Sequence, residues 1–304
     1  MDRLQAMQTL VRVVEMGSFS AAARELGSTQ SAVSKQVASL ERQLGAELLV
    51  RSTRVLKLTD AGARYVDQAR RLVAEVAEAE SELREGEHRL QGVLRVACSV
   101  CFGRLKLMPL VQDFLAQHPG LTLDLRLNDG FIDLIEQGID LSVRIGELPD
   151  SSLVSRRIAT MRRGIYASRR YVERHGAPVE PAELAAHNCL VYSELQTRDT
   201  WTLQPEDGRG TPVSVQVGGN LQTNSGEAIR EAVAAGMGLS FAPDWLFERE
   251  VAEGSIVRVL PGWASPAVPI QLVSPPQRRA SAKVRTFGDH LAAGLGADRD
   301  VNRR

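Results

Sequence analysis

The sequence predicts an α/β protein made of a small helical domain, one long helix and a larger domain of alternating strands and helices. Three observations carry that reading. Residues 1–58 and 59–91 contain no proline, whereas all 13 prolines fall after residue 108. The charge balance changes sign along the chain, with eight basic and five acidic side chains in 1–58 but five basic and eight acidic in 59–91. From residue 92 onward, short apolar runs alternate with helical patterns, the habit of a sheet with crossing helices.

Composition narrows the class further. The chain has 304 residues, 43% hydrophobic and 24% charged, enough apolar material for two or more cores and too much for a disordered chain. No stretch approaches the ~18 apolar residues of a membrane span. The apolar residues of the amino terminus are interrupted by Gln5, Gln8, Arg12 and Glu15, unlike an export signal. The expectation is a cytoplasmic protein with no membrane partner. Three cysteines are too few for a disulfide framework. With 37 basic and 37 acidic residues the net charge is zero, so any nucleic-acid contact must come from a local patch.

Residues 18–44 carry the most specific pattern. Ser18 is placed to cap a helix over 19–26, and Gly27 permits the left-handed turn that ends it. Thr29 caps a second helix over 30–44, which ends at Gly45. Val33, Val37, Leu40 and Leu44 form its buried stripe, while Gln30, Ser31, Ser34, Lys35 and Arg42 lie on the other side, polar and free of acids. Such a face suits a major-groove reader, because amide, ammonium and hydroxyl groups bond base edges and phosphates. An ordinary solvated helix face has the same look. Residues 48–58 tip the balance: they read as a β-wing that sets Arg51, Arg54 and Lys57 beside the helix, at positions suited to flanking phosphates or the minor groove. The pattern is a winged helix-turn-helix.

Residues 59–91 predict a long helix, with Thr59 as its cap and Asp60 near its positive end. Tyr65, Ala69, Leu72, Val76, Ala79 and Leu83 recur at alternating spacings of four and three, and the series continues through Gly86 to Leu90. A 3.5-residue repeat keeps one seam facing a partner helix, which points to dimerisation through this segment. Beyond it, 94–98, 121–127 and 141–145 read as strands, with helices over 104–117 and 131–137, and the alternation favours a parallel, doubly wound sheet.

Gly17-Ser18-Phe19-Ser20-Ala21-Ala22-Ala23-Arg24-Glu25-Leu26, then Gln30-Ser31-Ala32-Val33-Ser34-Lys35-Gln36-Val37, Leu40-Glu41, Leu44-Gly45, Arg51-Ser52-Thr53-Arg54 and Leu58-Thr59-Asp60-Ala61-Gly62 resemble a LysR-type transcriptional regulator. The resemblance is near-continuous over the first 65 residues and extends through the rest of the chain. Leu49 stands where the family most often has Phe, and Lys35 where many members have Arg. The second departure replaces a bidentate fork by a point charge.

The resemblance implies a winged helix-turn-helix over 1–58, a linker and dimerisation helix over 59–91, and a bilobal, periplasmic-binding-protein-like effector domain over 92–304. Its first lobe would span about 92–162 and 267–293, its second 163–266. It also implies double-stranded promoter DNA as partner, a small-molecule effector in the inter-lobe cleft, assembly into a dimer or dimer of dimers, and RNA polymerase as a further candidate partner. DNA contact falls to Gln30, Ser31, Ser34, Lys35, Arg51 and Arg54. Ligands of open α/β sheets sit beyond the carboxyl ends of strands, which selects Ser99, Val100, Cys101, Asn128 and Arg144 in the first lobe, and Thr223 and Asn224 at a helix start in the second. Ser99 has a competing role as a helix cap, and Arg144 a competing role pairing with Asp129 or Asp133. Tyr192 and Trp201 are candidates for the cleft or for plain core. The donor-rich lining favours a small carboxylate or other acceptor-bearing effector.

Cys98-Ser99-Val100-Cys101 has the spacing of a redox or metal motif, but the five histidines form no ligand-spaced cluster around it. Cys98 reads equally well as a small buried hydrophobe at a strand end. No cofactor or metal is expected. An enzyme on this fold needs a nucleophile with a base, paired carboxylates or a metal set, and none is apparent. The reading is a regulator, not an enzyme.

Overall fold

The computed structural model describes residues 2–50, 56–83, 90–148, 152–195, 197–279, 281–298 and 301. It divides into two compact units, Met1–Arg89 and Leu90–Arg304. In the first, α1 (Arg3–Met16), α2 (Phe19–Glu25) and α3 (Gln30–Leu44) precede an antiparallel ribbon of β1 (Leu49–Val50) and β2 (Lys57–Leu58), followed by α4 (Asp60–Leu83). The expected caps are present. The Ser18 hydroxyl accepts the Ala21 N–H at 3.4 Å, Thr29 that of Ala32 at 3.2 Å, and Thr59 that of Gly62 at 2.9 Å. Leu10, Val13, Ala22, Val33, Val37 and Leu40 form the core, closed by Val66 of α4.

That closure changes the meaning of the heptad series. Ala69 is fully buried and Tyr65 packs on the unit's own core, so the first two seam positions are already used. Free apolar surface begins at Leu72, which is 46% exposed. Gly86 lies outside the described residues.

The second unit opens with β3 (Gly92–Cys98), α5 (Val100–Phe102), a π-helical turn (Gly103–Leu107), α6 (Met108–Gln117), β4 (Leu121–Leu127), β5 (Leu141–Ile145) and β6 (Val154–Met161). The chain continues through β7 (Arg163–Ser168), α7 (Arg169–His175), β8 (Val191–Tyr192), β9 (Thr200–Pro205), β10 (Val213–Gln216) and β11 (Gln222–Thr223). It then forms α8 (Gly226–Ala234), β12 (Ser240–Pro243), α9 (Glu248–Ala252), β13 (Ile256–Val259) and β14 (Trp263–Ala264), and closes with β15 (Val268–Ser274) and α10 (Ala282–Ala297). One five-stranded sheet has the order β4-β3-β5-β15-β6, and a three-stranded sheet has the order β12-β7-β13. No described helix is long and apolar enough to cross a membrane.

Three expectations are corrected here. The large sheet is mixed: β3 runs parallel to β4 and β5, but β15 runs antiparallel to both β5 and β6. Val268 pairs with Met161, so the chain re-enters the sheet beside the point where it left, and the two strands must run in opposite senses. Residues 131–137 are a turn rather than a helix. The Asp133 carboxylate accepts the N–H groups of Ile135 and Glu136, and Gly138 at φ 61° closes the segment. The helix expected over 104–117 starts earlier, at Val100, and is interrupted by the π-helical turn.

Candidate functional site

Two sites emerge, one in each unit. In the first unit α2 and α3 meet through Ala22, Ala23 and Val33, all buried, across a turn held by the Ser28 N–H on the Ala23 carbonyl at 2.8 Å. Packing one stripe of α3 inward leaves Gln30, Ser31, Ser34, Lys35 and Arg42 exposed on its outer face. Gln30 is oriented: its Oε1 accepts the Ser20 hydroxyl at 3.0 Å, so its amide NH₂ remains to donate. Thr9 of α1 donates to Gln36 Oε1 at 3.0 Å, which ties the buried side of α3 to the unit. The wing is positioned by Glu41, whose carboxylate accepts the N–H groups of Leu48 at 2.8 Å and Leu49 at 3.1 Å. Glu41 belongs to the recognisable motif, yet its bond to the wing spans seven residues and no local pattern announces it. Arg51 and Arg54 lie outside the described residues.

In the second unit a cavity of about 960 Å³ opens between the five-stranded sheet and the strands that follow it, with β7, β8, β9 and β12 contributing to its wall. Ser99, Cys101, Asn128 and Arg144 line it, as do Tyr192, Arg163, Phe241 and Trp245. Val100, Thr223 and Asn224 do not. Val100 contributes only a backbone N–H, which donates to Asp129 Oδ1 at 2.9 Å. The Thr223 hydroxyl accepts the Ser225 N–H at 3.1 Å, and Asn224 is exposed. The start of α8, expected to receive a ligand anion, is already occupied by Asp129, whose Oδ2 accepts the Gly226 N–H at 3.1 Å. The Ser99 hydroxyl makes no helix-cap bond, and Asp129 takes the first N–H of α5 instead. Arg144 pairs with neither Asp129 nor Asp133; it donates to the Ile132 carbonyl at 2.9 Å and lies over the Phe131 ring. Burial lowers its pKa. Trp201 is core, 1% exposed and stacked on Phe241.

Cys98 and Cys101 are free and buried. Burial pushes both thiols from 9.0 up to about 12, the carboxylate of Glu227 adding to the effect on Cys101. A protonated, enclosed thiol is a poor nucleophile and a poor metal ligand. Among the described residues no group of three His, Cys, Asp or Glu side chains is placed to hold a metal ion.

A helix-turn-helix with a wing, joined in one chain to an α/β domain with a cavity lined by several of its sheets, is a combination that known proteins share. Residues 4–63 match the family model of the bacterial regulatory helix-turn-helix protein, lysR family, and residues 87–296 match the LysR substrate binding domain. The chain belongs to the LysR family of transcriptional regulators. It is 38% identical over 295 residues to an HTH-type transcriptional regulator of Xanthomonas campestris pv. campestris, covering 95% of this chain and 85% of that one. It is 36% identical over 293 residues to the HTH-type transcriptional regulator CrgA of Neisseria meningitidis serogroup C, covering 96% and 97%. The solved structure of CrgA from Neisseria meningitidis superposes with a TM-score of 0.61 at 35% identity, over 96% of this chain and 98% of that one. As a LysR-type regulator the protein binds DNA through its amino-terminal domain and is modulated by a small-molecule effector through its carboxy-terminal one. Its relatives are regulators of transcription.

Proposed function

We propose that α3 reads promoter DNA from the major groove through Gln30, Ser31, Ser34 and Lys35, with Arg51 and Arg54 on the flanking phosphates. The observation that carries this is the outer face of α3: exposed, acid-free, and presenting a Gln30 amide already oriented by Ser20. Gln and Lys at such positions bond base edges, while wing arginines add sequence-independent affinity. The effector is a small acceptor-bearing molecule in the 960 Å³ cavity, met by Ser99, Cys101, Asn128 and Arg144. Two copies pair through the apolar face of α4 that starts at Leu72 and through their effector domains, so that paired winged helices meet paired half-sites. A dimer of dimers, contact with RNA polymerase and a cytoplasmic location fit this role. The protein acts by binding, not by catalysis.

Footprinting of the purified full chain on the DNA between its own gene and a divergent neighbour tests the reading. Protection of a partial palindrome, lost in Lys35→Ala, is the expected result. Unaltered protection in that variant would refute the assignment of α3.

A further inference from the structure

Two guanidinium groups border the cavity, and they differ in one respect. Arg144 has partners, the Ile132 carbonyl and the face of Phe131. Arg163 has none: among the described residues its guanidinium makes no hydrogen bond and no ion pair. Its backbone is fixed on both sides, its N–H donating to Ser265 Oγ at 2.9 Å and its carbonyl accepting the Ser265 N–H at 2.8 Å. The side chain is thereby held at the first residue of β7, where the chain passes from one sheet to the other, and it faces the cavity.

Burial lowers the Arg163 pKa to about 10, so the group is still a cation at neutral pH. Tyr192 also borders the cavity and acts electrostatically on Arg163, and burial keeps its phenol protonated. The carboxylates of the cavity wall do not supply a counter-charge. Asp129 is spent on the N–H groups of Val100 and Gly226, and Asp133 on those of Ile135 and Glu136. Glu147 and Glu194 are exposed to solvent. Arg163 is a half-buried cation whose guanidinium borders the cavity with no protein counter-charge, and arginine is seldom buried without a partner. The walls around it contribute Met161, Ile229, Phe241 and Trp245, all apolar and buried.

We infer that Arg163 anchors the carboxylate of the effector, whose remaining body is apolar and packs against Met161, Ile229, Phe241 and Trp245. A guanidinium offers a carboxylate two parallel hydrogen bonds, and the apolar walls beside it leave few competing donors. The inference rests on the proposal that this cavity is the effector site. It adds what that proposal lacks: a charge-bearing residue in the second lobe and a chemical class for the ligand.

The test uses the full chain with two probes of the same shape, sodium benzoate and benzamide, at constant ionic strength. Binding is read by tryptophan fluorescence, since Trp245 borders the cavity. Wild type is expected to bind benzoate about tenfold or more tightly than benzamide, the worth of a charged hydrogen-bonded contact. Arg163→Gln should erase that preference while its circular dichroism stays that of wild type, and Arg163→Lys should keep part of it. Equal binding of the two probes to wild type, or undiminished benzoate preference in Arg163→Gln, overturns the anchor. If in either of those cases Thr202→Phe, which fills the cavity from β9, abolishes probe binding, the cavity remains the ligand site and only the anchor falls. Binding that survives Thr202→Phe, or no binding of either probe, overturns both readings.

Discussion

The Asp129 carboxylate, at the end of β4, accepts the backbone N–H of Gly226 at the start of α8 from 97 residues away in sequence. Its other oxygen takes the Val100 N–H, so one side chain closes two helix starts. Gly226 also lies close against α5: a Cβ added there would meet Cys101 Sγ at 2.9 Å. Asp129→Ala leaves two N–H groups without a partner and should lower stability by about 1–3 kcal/mol. All three tryptophans lie in the second unit, so urea denaturation followed by their fluorescence reads this effect directly. Asp129→Asn retains one acceptor oxygen and should cost less. Equal stability of Asp129→Ala and wild type would show that the two bonds contribute nothing.

Gly62 is the tightest point of the first unit. A Cβ there would lie 1.9 Å from the Leu48 carbonyl oxygen, a backbone atom that cannot rotate away. Gly62→Ala must therefore displace the wing or α4, at a cost of about 3 kcal/mol. The expected outcome is loss of DNA binding and of amide protection around Val33 and Val37, with the tryptophan-reported transition unchanged. Unaltered protection would mean that the Leu48 turn is softer than its geometry implies.

These two positions show where sequence patterns stop. Local devices were readable: Ser18, Thr29 and Thr59 cap the helices they precede, because a cap and its target lie three residues apart. The stripe Val33, Val37 and Leu40 and the exposed face opposite follow from helical period alone. Strand direction does not: an apolar run such as Val268–Ser274 suits parallel and antiparallel pairing alike. Nor does the use of Asp129 or Arg163, since each is one charged residue among 74 and acquires meaning only from residues far along the chain. The turn at 131–137 misleads because Asp133 and Gly138 imitate the start and stop of a helix.

The buried thiols make a pH prediction with a definite sign. Folding raises the Cys98 and Cys101 pKa from 9.0 to about 12, chiefly by burial, and Cys189 is raised likewise. Between those values the unfolded chain has lost its thiol protons and the folded one has kept them. Their contribution is fully present below pH 9 and is lost as pH rises towards 12. Urea midpoints should fall from pH 8.5 to 10.5, and the fall should shrink in Cys98→Ala with Cys101→Ser. Because burial keeps these thiols protonated, a thiol-specific disulfide reagent should label the native protein at neutral pH far more slowly than the urea-unfolded chain. Rapid labelling of Cys98 or Cys101 would contradict the burial argument and favour an oxidant-sensing role.

The DNA face separates into two kinds of contact that respond differently to salt. Lys35→Ala or Gln30→Ala should cost about 1–3 kcal/mol on the specific site and relax base preference there. Arg51→Ala or Arg54→Ala should weaken all sequences alike and reduce the slope of log affinity against log salt by about one unit each. Mobility shifts on specific and scrambled duplexes across a salt series distinguish the two. Swapped behaviour, with Lys35 affecting every sequence equally, would move Lys35 from the bases to the backbone.

The pairing proposed for α4 depends on a distinction within its apolar series. Ala69 is buried in the unit's own core, so a charge placed there would unfold the domain and say nothing about assembly. Leu72 is 46% exposed and Val76 half-buried, so charges at these positions leave the core intact. An Asp at a seam position puts a charge among the apolar residues that the partner helix packs there, so the contact is lost and the charge must be desolvated. Leu72→Asp with Val76→Asp should therefore keep the far-ultraviolet circular dichroism of the winged helix yet weaken operator affinity at least about tenfold, since linked half-sites give avidity that single ones lack. Sedimentation of the full chain should show weaker self-association at micromolar concentration. A double variant that remains as associated as wild type and as competent for DNA would place the interface elsewhere.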